Sequence, residues 1–299
     1  MSTLSHLVPP AELAKVQRLD VVARIIVEGA QSGAHRSPLR GASVDFADHR
    51  QYVPGDDLRH LDWKVLGRSD RLVLKRYEAE TDLGCTLAVD GSGSMAYSGT
   101  RSGVSKFRYA AMLSAAVAHL VLQQQDRAAL MLYDERAALE LPARHQGQLE
   151  RICRALEGHT PHGATDASKG LEHLSAPGAH RGLVVMLSDC LAPPEDLASA
   201  FDRLRARGHD LVVVWILDPD ELDLGIGGAS RFQGLESEGE LVAEPRALAT
   251  AYIDEVARHR VALASLSRSR GASLVECRTD EPLHVPLNRL LVALNERAR

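Results

Sequence analysis

Asp90-Gly91-Ser92-Gly93-Ser94, Thr165 and Asp189 are the residues of this chain whose types and order point to chemistry. They amount to two carboxylates and three hydroxyls. An all-oxygen set of this kind suits a hard divalent cation such as Mg²⁺, which keeps several of its waters. Each carboxylate closes an apolar run: Asp90 follows Thr86 to Val89, and Ser188-Asp189 follows Leu183 to Leu187. Short, continuously apolar runs read as strands buried on both faces. Both carboxylates then fall at the carboxyl ends of strands, the edge where open α/β sheets build their crevices. Taken singly, each element has a plainer reading. Asp, Gly and Ser are ordinary loop formers, Thr165 before a helix is an ordinary N-cap, and Asp189 would cap a turn. Three such elements in this order favour a metal site over three separate caps.

The elements that must position them follow from hydrophobic periodicity. Ala11 to Glu28 carries a helical stripe (Leu13, Val16, Leu19, Val22, Ile25, Ile26) that Gly29 and Gly33 should end. The chain is then polar and turn-rich to about Asp82, with Pro54-Gly55-Asp56-Asp57 the clearest turn and Leu72 to Tyr77 a strand. Tyr52 and Trp63 among its arginines and aspartates favour a packed extension, and a partner surface, over a merely solvated face. Beyond it, strands and helices alternate. Strands are predicted at Thr86–Val89, Ala128–Tyr133, Leu183–Leu187 and Leu211–Leu217; helices at Ser105–Gln124, Gln148–Leu156, Asp166–Leu174, Glu195–Ala206 and Pro245–Ser269. Such alternation predicts an α/β fold, a doubly wound and mainly parallel sheet with helices on both faces. The expected organisation is residues 1–82 as an N-terminal helix and polar extension packed on the main domain, 83–280 as that domain, and 281–299 as a C-terminal helix.

Composition bounds the function. Of 299 residues 45% are hydrophobic, enough for a sizeable core, while aromatics at 4% and a net charge of −5 argue against a nucleic-acid platform. Cys85, Cys153, Cys190 and Cys277 form no C-x-x-C pair, which predicts free, buried thiols in a reducing compartment. Met1 to Pro10 lacks the pattern of a secretory signal, and no run approaches the roughly 20 apolar residues of a spanning helix. A cytoplasmic protein is expected. The nucleophile elbow G-x-S-x-G, the phosphate-binding G-x-x-x-x-G-K-[ST] and the zinc motif H-E-x-x-H are all missing. His159 and His162 precede Thr165 closely, but imidazole suits softer metals than Mg²⁺, so a solvated loop is the expectation for them.

The set Asp90, Ser92, Ser94, Thr165 and Asp189 resembles the metal-ion-dependent adhesion site of von Willebrand factor type A domains, matching at all five positions. The preceding stretch resembles the bacterial "domain of unknown function 58" family. The likeness is carried by Gly33-Ala34-His35-Arg36-Ser37, Gly41, Asp45-Phe46, Arg50-Gln51-Tyr52, Pro54-Gly55-Asp56-Asp57, Arg59, Asp62-Trp63-Lys64, Arg68-Ser69-Asp70 and Lys75, and later by Glu236-Ser237-Glu238-Gly239. The resemblance implies a type A-like fold with a family-specific N-terminal extension and a bound Mg²⁺, with Mn²⁺ as its substitute. It also implies a non-enzymatic, metal-dependent protein–protein interaction role beside a MoxR-type AAA+ ATPase. In the family pattern the three hydroxyls face the ion, the carboxylates act directly or through water, and an acidic side chain of a protein partner completes the shell. The alternative is a metal-dependent hydrolase such as a phosphatase, which needs a base or nucleophile beside the ion.

Overall fold

Period-two alternation sorts the side chains of the central strands into two opposite layers. The fold is described from a computed structural model, which describes residues 8–33, 48–51, 73–76, 84–134, 138–144, 147–164, 167–172, 174, 181–224, 230–236, 239–243 and 245–297. Leu87, Val89, Leu130, Leu132, Val185, Leu187, Val212 and Val214 face one layer. Ala88, Met131, Val184, Met186, Val213 and Trp215 face the other. Strands apolar on both sides need a cover on both sides, and helices supply it.

The chain divides into two compact units, residues 1–35 with 83–299 and residues 36–82. In the smaller unit β1 (Asp48–Gln51) pairs antiparallel with β2 (Val73–Arg76), Asp48 standing opposite Arg76. The strand expected over Leu72–Tyr77 is this β2. The Pro54 to Asp57 turn, Tyr52 and Trp63 lie outside the described residues.

The larger unit opens with α1 (Pro10–Ala14) and α2 (Leu19–Gly33). Then come β3 (Gly84–Asp90), a 3₁₀ turn (Gly93–Ala96), α3 (Lys106–Gln123), β4 (Arg127–Tyr133), β5 (Ala138–Arg144) and α4 (Gln148–Gly158). Next are α5 (Ala167–Gly170), β6 (Gly182–Ser188), α6 (Pro194–Ala206), β7 (Asp210–Leu217) and α7 (Asp220–Asp223). The chain continues through β8 (Ser230–Gln233), β9 (Glu240–Ala243), α8 (Pro245–Ser269), β10 (Ser273–Arg278) and α9 (His284–Arg297). Six strands form one sheet in the order β10-β7-β6-β3-β4-β5. All neighbours are parallel except β4 and β5. This is the expected doubly wound α/β sheet. The chain leaves β3 toward β4 and later returns to β6 on the other side of β3. The carboxyl ends of β3 and β6 therefore flank the topological switch point, where such sheets bind their ligands.

Helix α3 fits against the sheet because small side chains line it; Ala110, Ala111, Ala115, Ala116 and Ala118 are all buried. Ser105 caps it by accepting from the Arg108 N–H at 3.2 Å. With α2, α4 and α9 it covers one face, while α6 and Leu263 of α8 cover the other through Leu197, Ala200, Phe201 and Leu204.

Three expectations need correction. The single helix over Ala11–Glu28 is two helices broken at 15–18, and α2 runs through Gly29 to Gly33. The break is stabilised from a distance: the freed Leu19 N–H donates to Glu157 Oε1 at 2.6 Å, a partner on α4 that periodicity cannot reveal. The helix expected over Asp166–Leu174 is described only as the short α5, where Gly170 packs directly on the Tyr133 ring. Strands β1, β5, β8, β9 and β10 were not anticipated. Pro142 inside β5 and the exposed Leu139 mark that strand as the sheet's edge, a position proline tolerates.

Candidate metal centre

Strands β3 and β6 are paired in register from Gly84 with Gly182 to Val89 with Leu187, so the next residues, Asp90 and Ser188, stand side by side. Ser188 Oγ donates to Asp90 Oδ2 at 2.7 Å. Past Asp90 the chain turns sharply. The Gly91 N–H donates to the Tyr133 carbonyl at 2.7 Å and the Ser92 N–H to Asp90 Oδ1 at 3.0 Å. The 3₁₀ turn then brings Ser94 Oγ to 3.1 Å from Ser92 Oγ. Asp90 and Ser92 have no exposure and Ser94 only 6%.

Gly91 and Gly93 are small because neighbours press on them. A β-carbon on Gly91 would enter the His159 ring, whose Nε2 lies 3.1 Å from the Gly91 carbonyl. At Gly93 it would approach the Leu235 carbonyl closer than any real β-carbon does. The Gly93 N–H also donates to the Gly163 carbonyl at 2.8 Å. Two loops, 159–163 and the β8–β9 connection, thus close on the Asp90–Ser94 turn.

Asp189 lies one residue beyond β6 and is 1% exposed. Its Oδ2 accepts from Lys106 Nζ at 2.7 Å and its carbonyl from Trp215 Nε1 at 2.8 Å. Lys106, the first residue of α3, is fully buried and also donates to Glu221 Oε1 at 2.6 Å. Burial works to discharge this ammonium, but the Asp189 and Glu221 carboxylates outweigh it and hold its pKa above the ordinary lysine value. Burial first and the charge of Asp189 second push the Asp90 carboxyl up to about 7. The pocket therefore holds the carboxyls of Asp90, Asp189 and Glu221 against the single ammonium of Lys106.

Four of the five expected ligands, Asp90, Ser92, Ser94 and Asp189, thus meet at the β3–β6 switch point. Thr165 lies outside the described residues. The donors are oxygen only, and a divalent cation would offset both the burial of the Asp90 carboxyl and the neighbouring charge of Asp189 that together raise its pKa, so the residues present fit Mg²⁺. Among the described residues no group of three or more His, Cys, Asp or Glu is placed to hold a metal, so the serine hydroxyls are needed for the set. His159 sits on the Gly91 carbonyl, as stated. His162 Nδ1 lies 2.9 Å from the Thr160 carbonyl, and its Nε2 lies 3.6 Å from Asp134 Oδ2. Burial, with Asp189 and Asp90 adding to it, holds the Cys190 thiol well above its usual range, which makes it a poor nucleophile.

Sequence reasoning missed Lys106, Ser188 and Glu221. Ser188 had a visible signal, since it ends the same apolar run that announces Asp189. Lys106 had none: a lysine at the start of a helix reads as exposed, and its partners are 83 and 115 residues away.

No helix among the described residues is long and apolar enough to cross a membrane. Among solved structures the chain is similar to the conserved hypothetical protein BatB from Bacteroides thetaiotaomicron, at 14% identity and TM-score 0.47, covering 72% of this chain and 99% of that one. It is also similar to an aerotolerance-related membrane protein from Bacteroides fragilis, at 18% identity and TM-score 0.46, covering 72% and 99%. Among curated proteins, uncharacterized proteins of Mycobacterium tuberculosis and Mycobacterium bovis are each 28% identical to it over 278 residues, covering 91% of this chain and 86% of theirs. The family model described as "Protein of unknown function DUF58" matches residues 48–262, well over half of the chain, and the chain belongs to that family.

Proposed function

We propose that this protein is a non-enzymatic docking module whose Asp90, Ser92, Ser94, Thr165 and Asp189 present a Mg²⁺ ion to an acidic side chain of a protein partner. The observation that carries the reading is the gathering of Asp90, Ser92, Ser94 and Asp189 into one buried, oxygen-lined and negatively charged pocket. When bound, Mg²⁺ would supply a positively charged coordination position that a carboxylate from outside can complete. The chain's own groups set how that position behaves. Ser92 and Ser94 offer neighbouring hydroxyls. Asp90 is already held on both oxygens, by Ser188 Oγ and the Ser92 N–H, and Asp189 is held by Lys106. Carboxylates so engaged act through water, which leaves the bound cation under-neutralised and selective for an anionic partner. The family resemblance nominates a MoxR-type AAA+ ATPase as that partner and the cytoplasm as the compartment. The hydrolase reading draws less from the site: His159 Nε2 and His162 Nδ1 lie against backbone carbonyls, His162 Nε2 faces Asp134 Oδ2 at 3.6 Å away from the hydroxyl set, and the Cys190 thiol is kept protonated.

Affinity capture from a lysate in Mg²⁺, repeated in EDTA and with Asp90→Ala, tests the reading. The expected result is a partner present only with the wild-type protein in Mg²⁺. Equal capture in all three would overturn it.

A further inference from the structure

The two outer strands of the six-stranded sheet differ in how they meet solvent. β5 carries Pro142 and an irregular register against β4 between Ala128 and Leu130. Both features spoil a strand edge for further pairing. β10, at the other end, has neither: Ser273 to Arg278 pair with Val212 to Leu217 without a break. We propose that β10 is where two copies of this chain join, edge to edge and antiparallel, about a twofold axis at Cys277.

Which groups of β10 face outward follows from its pairing. In a parallel ladder the N–H and C=O of one residue point to the same side, and the side alternates along the strand. The Thr279 N–H donates to the Leu217 carbonyl at 2.9 Å, so Thr279, Cys277 and Val275 turn toward β7. Leu274, Glu276 and Arg278 turn away from it, and among the described residues no strand meets them. Arg289 Nη1 donates to the Glu276 carbonyl at 3.0 Å, and the Glu281 N–H to the Arg278 carbonyl at 3.1 Å. A carbonyl has two lone pairs, so each keeps one for a neighbouring strand. A groove of about 1160 Å³ lies beside β10, walled by Leu274 to Arg278 and by Val285, Asn288 and Val292 of α9.

Charge sets the register. Antiparallel strands centred on Cys277 place Glu276 opposite Arg278 of the second copy, and Arg278 opposite its Glu276. Both residues face outward, so each such pair also exchanges two backbone hydrogen bonds. Centred on Glu276, the strands would set that carboxylate against itself. Centred on Arg278, they would set Arg278 against itself and Glu276 against Asp280. Centred on Val275, the two charges would meet only Leu274 and Ala272. Within one copy Glu276 is already held by Arg260 at 2.8 Å and Arg278 by Asp280 at 2.5 Å, all four partly exposed. The joined edge then reads Arg260, Glu276, Arg278, Asp280 across the axis, with alternating sign, twice over. An edge guarded by charges of one sign repels a second copy; this one attracts it.

The twofold reverses the strand direction of the second copy. The carboxyl ends of its β3 and β6 therefore face the opposite way, and a sheet of six strands from each copy carries its two pockets at opposite ends.

Sedimentation of the full-length protein over a range of concentrations tests the proposal. The wild type is expected to pass from monomer to dimer as concentration rises. Glu276→Arg sets arginines face to face and Arg278→Glu sets glutamates face to face, so each alone is expected to dimerise about tenfold more weakly or worse. Mixed in equal amounts, the two variants offer each other opposite charges and are expected to pair with wild-type strength. Thermal melts check that both fold, and if one does not, the self-association of the other decides the matter. A wild type that stays monomeric at every concentration would overturn the proposal and leave the edge to a strand of another protein. A dimer indifferent to charge reversal, or folded variants that do not pair with each other, would overturn it as well.

Discussion

At Asp90 and Lys106 burial and charge act together on the site's own carboxylates and ammonium, and each yields a measurable sign. Asp90 ends an apolar strand with no exposure, and burial followed by the charge of Asp189 lifts its pKa from 3.8 to about 7. Between those values the folded, metal-free protein holds a proton that the unfolded chain has released. Its stability therefore falls as pH rises through that window and levels off above it. The melting temperature of the chelated protein is expected to drop between pH ~5 and ~7.5, with Asp90→Asn markedly flatter, and the rise on adding Mg²⁺ is expected to be larger at the higher pH. Equal slopes in wild type and variant would assign the titration elsewhere. Lys106 gives the opposite pairing of effects. Lys106→Met strands Asp189 and Glu221 without their ammonium, a loss of about 3–5 kcal/mol in denaturant titration. The same change makes the pocket more negative, so Mg²⁺ should bind more tightly to a less stable protein. Weaker Mg²⁺ binding in a folded Lys106→Met would mean that the ammonium positions the site instead of opposing the ion. Asp90 was legible in the sequence because it ends an apolar run; Lys106 was not, because ion pairing over 83 residues leaves no local trace.

At the scale of elements, what was legible is what period and punctuation encode. Strands β3, β4, β6 and β7 were read to within two residues at each end because they are apolar on both faces, and α3 because Ser105 and its alanine stripe mark it. What failed were elements decided by tertiary contact: the break between α1 and α2, held by Glu157, and the β8–β9 hairpin that reaches the site. The glycines of the Asp90–Ser94 turn test how firmly these elements are set. An alanine at Gly93 meets the Leu235 and Gly163 carbonyls, backbone that cannot yield without moving two loops. An alanine at Gly91 meets the His159 ring first, a side chain that can rotate. Gly93→Ala should therefore cost about 1–3 kcal/mol and weaken Mg²⁺ binding, and Gly91→Ala should cost clearly less on both measures. Equal penalties, read by thermal melts with and without Mg²⁺, would show that the loops do not press on this turn as described.

Across the whole molecule, alternation of strands and helices was enough to announce a doubly wound sheet, and with it the edge that holds the site. It could not announce how distant segments are locked together at that edge, because the lock is a single carboxylate. Asp218, fully buried just past β7, takes the Gly99 N–H at 3.0 Å, Ser102 Oγ at 2.7 Å and Thr279 Oγ1 at 2.9 Å on one oxygen, and the Asp220 N–H at 2.9 Å on the other. Its sequence neighbours, Leu217 and Pro219, look like any strand end, while its partners lie up to 119 residues away. The carboxylate ties the loop that follows the Asp90–Ser94 turn to the ends of β7 and β10. Asp218→Ala would bury those donors without acceptors, a penalty of about 3–5 kcal/mol when each is worth about 1–3 and the losses overlap. Gly99→Ala attacks the same joint from the other side, since its β-carbon would meet the Asp218 carboxylate. Once the Asp218 carboxylate is gone the closest of its collisions disappears and only the one with Asp220 Oδ2 is left, so the double variant should be more stable than the sum of the two single losses predicts. Amide exchange should show residues 99–102 and β10 losing protection together in Asp218→Ala, with β4 and β5 unchanged. Strict additivity, or loss of protection confined to one segment, would mean that Asp218 is a local turn residue and not the tie that closes the sheet around its site.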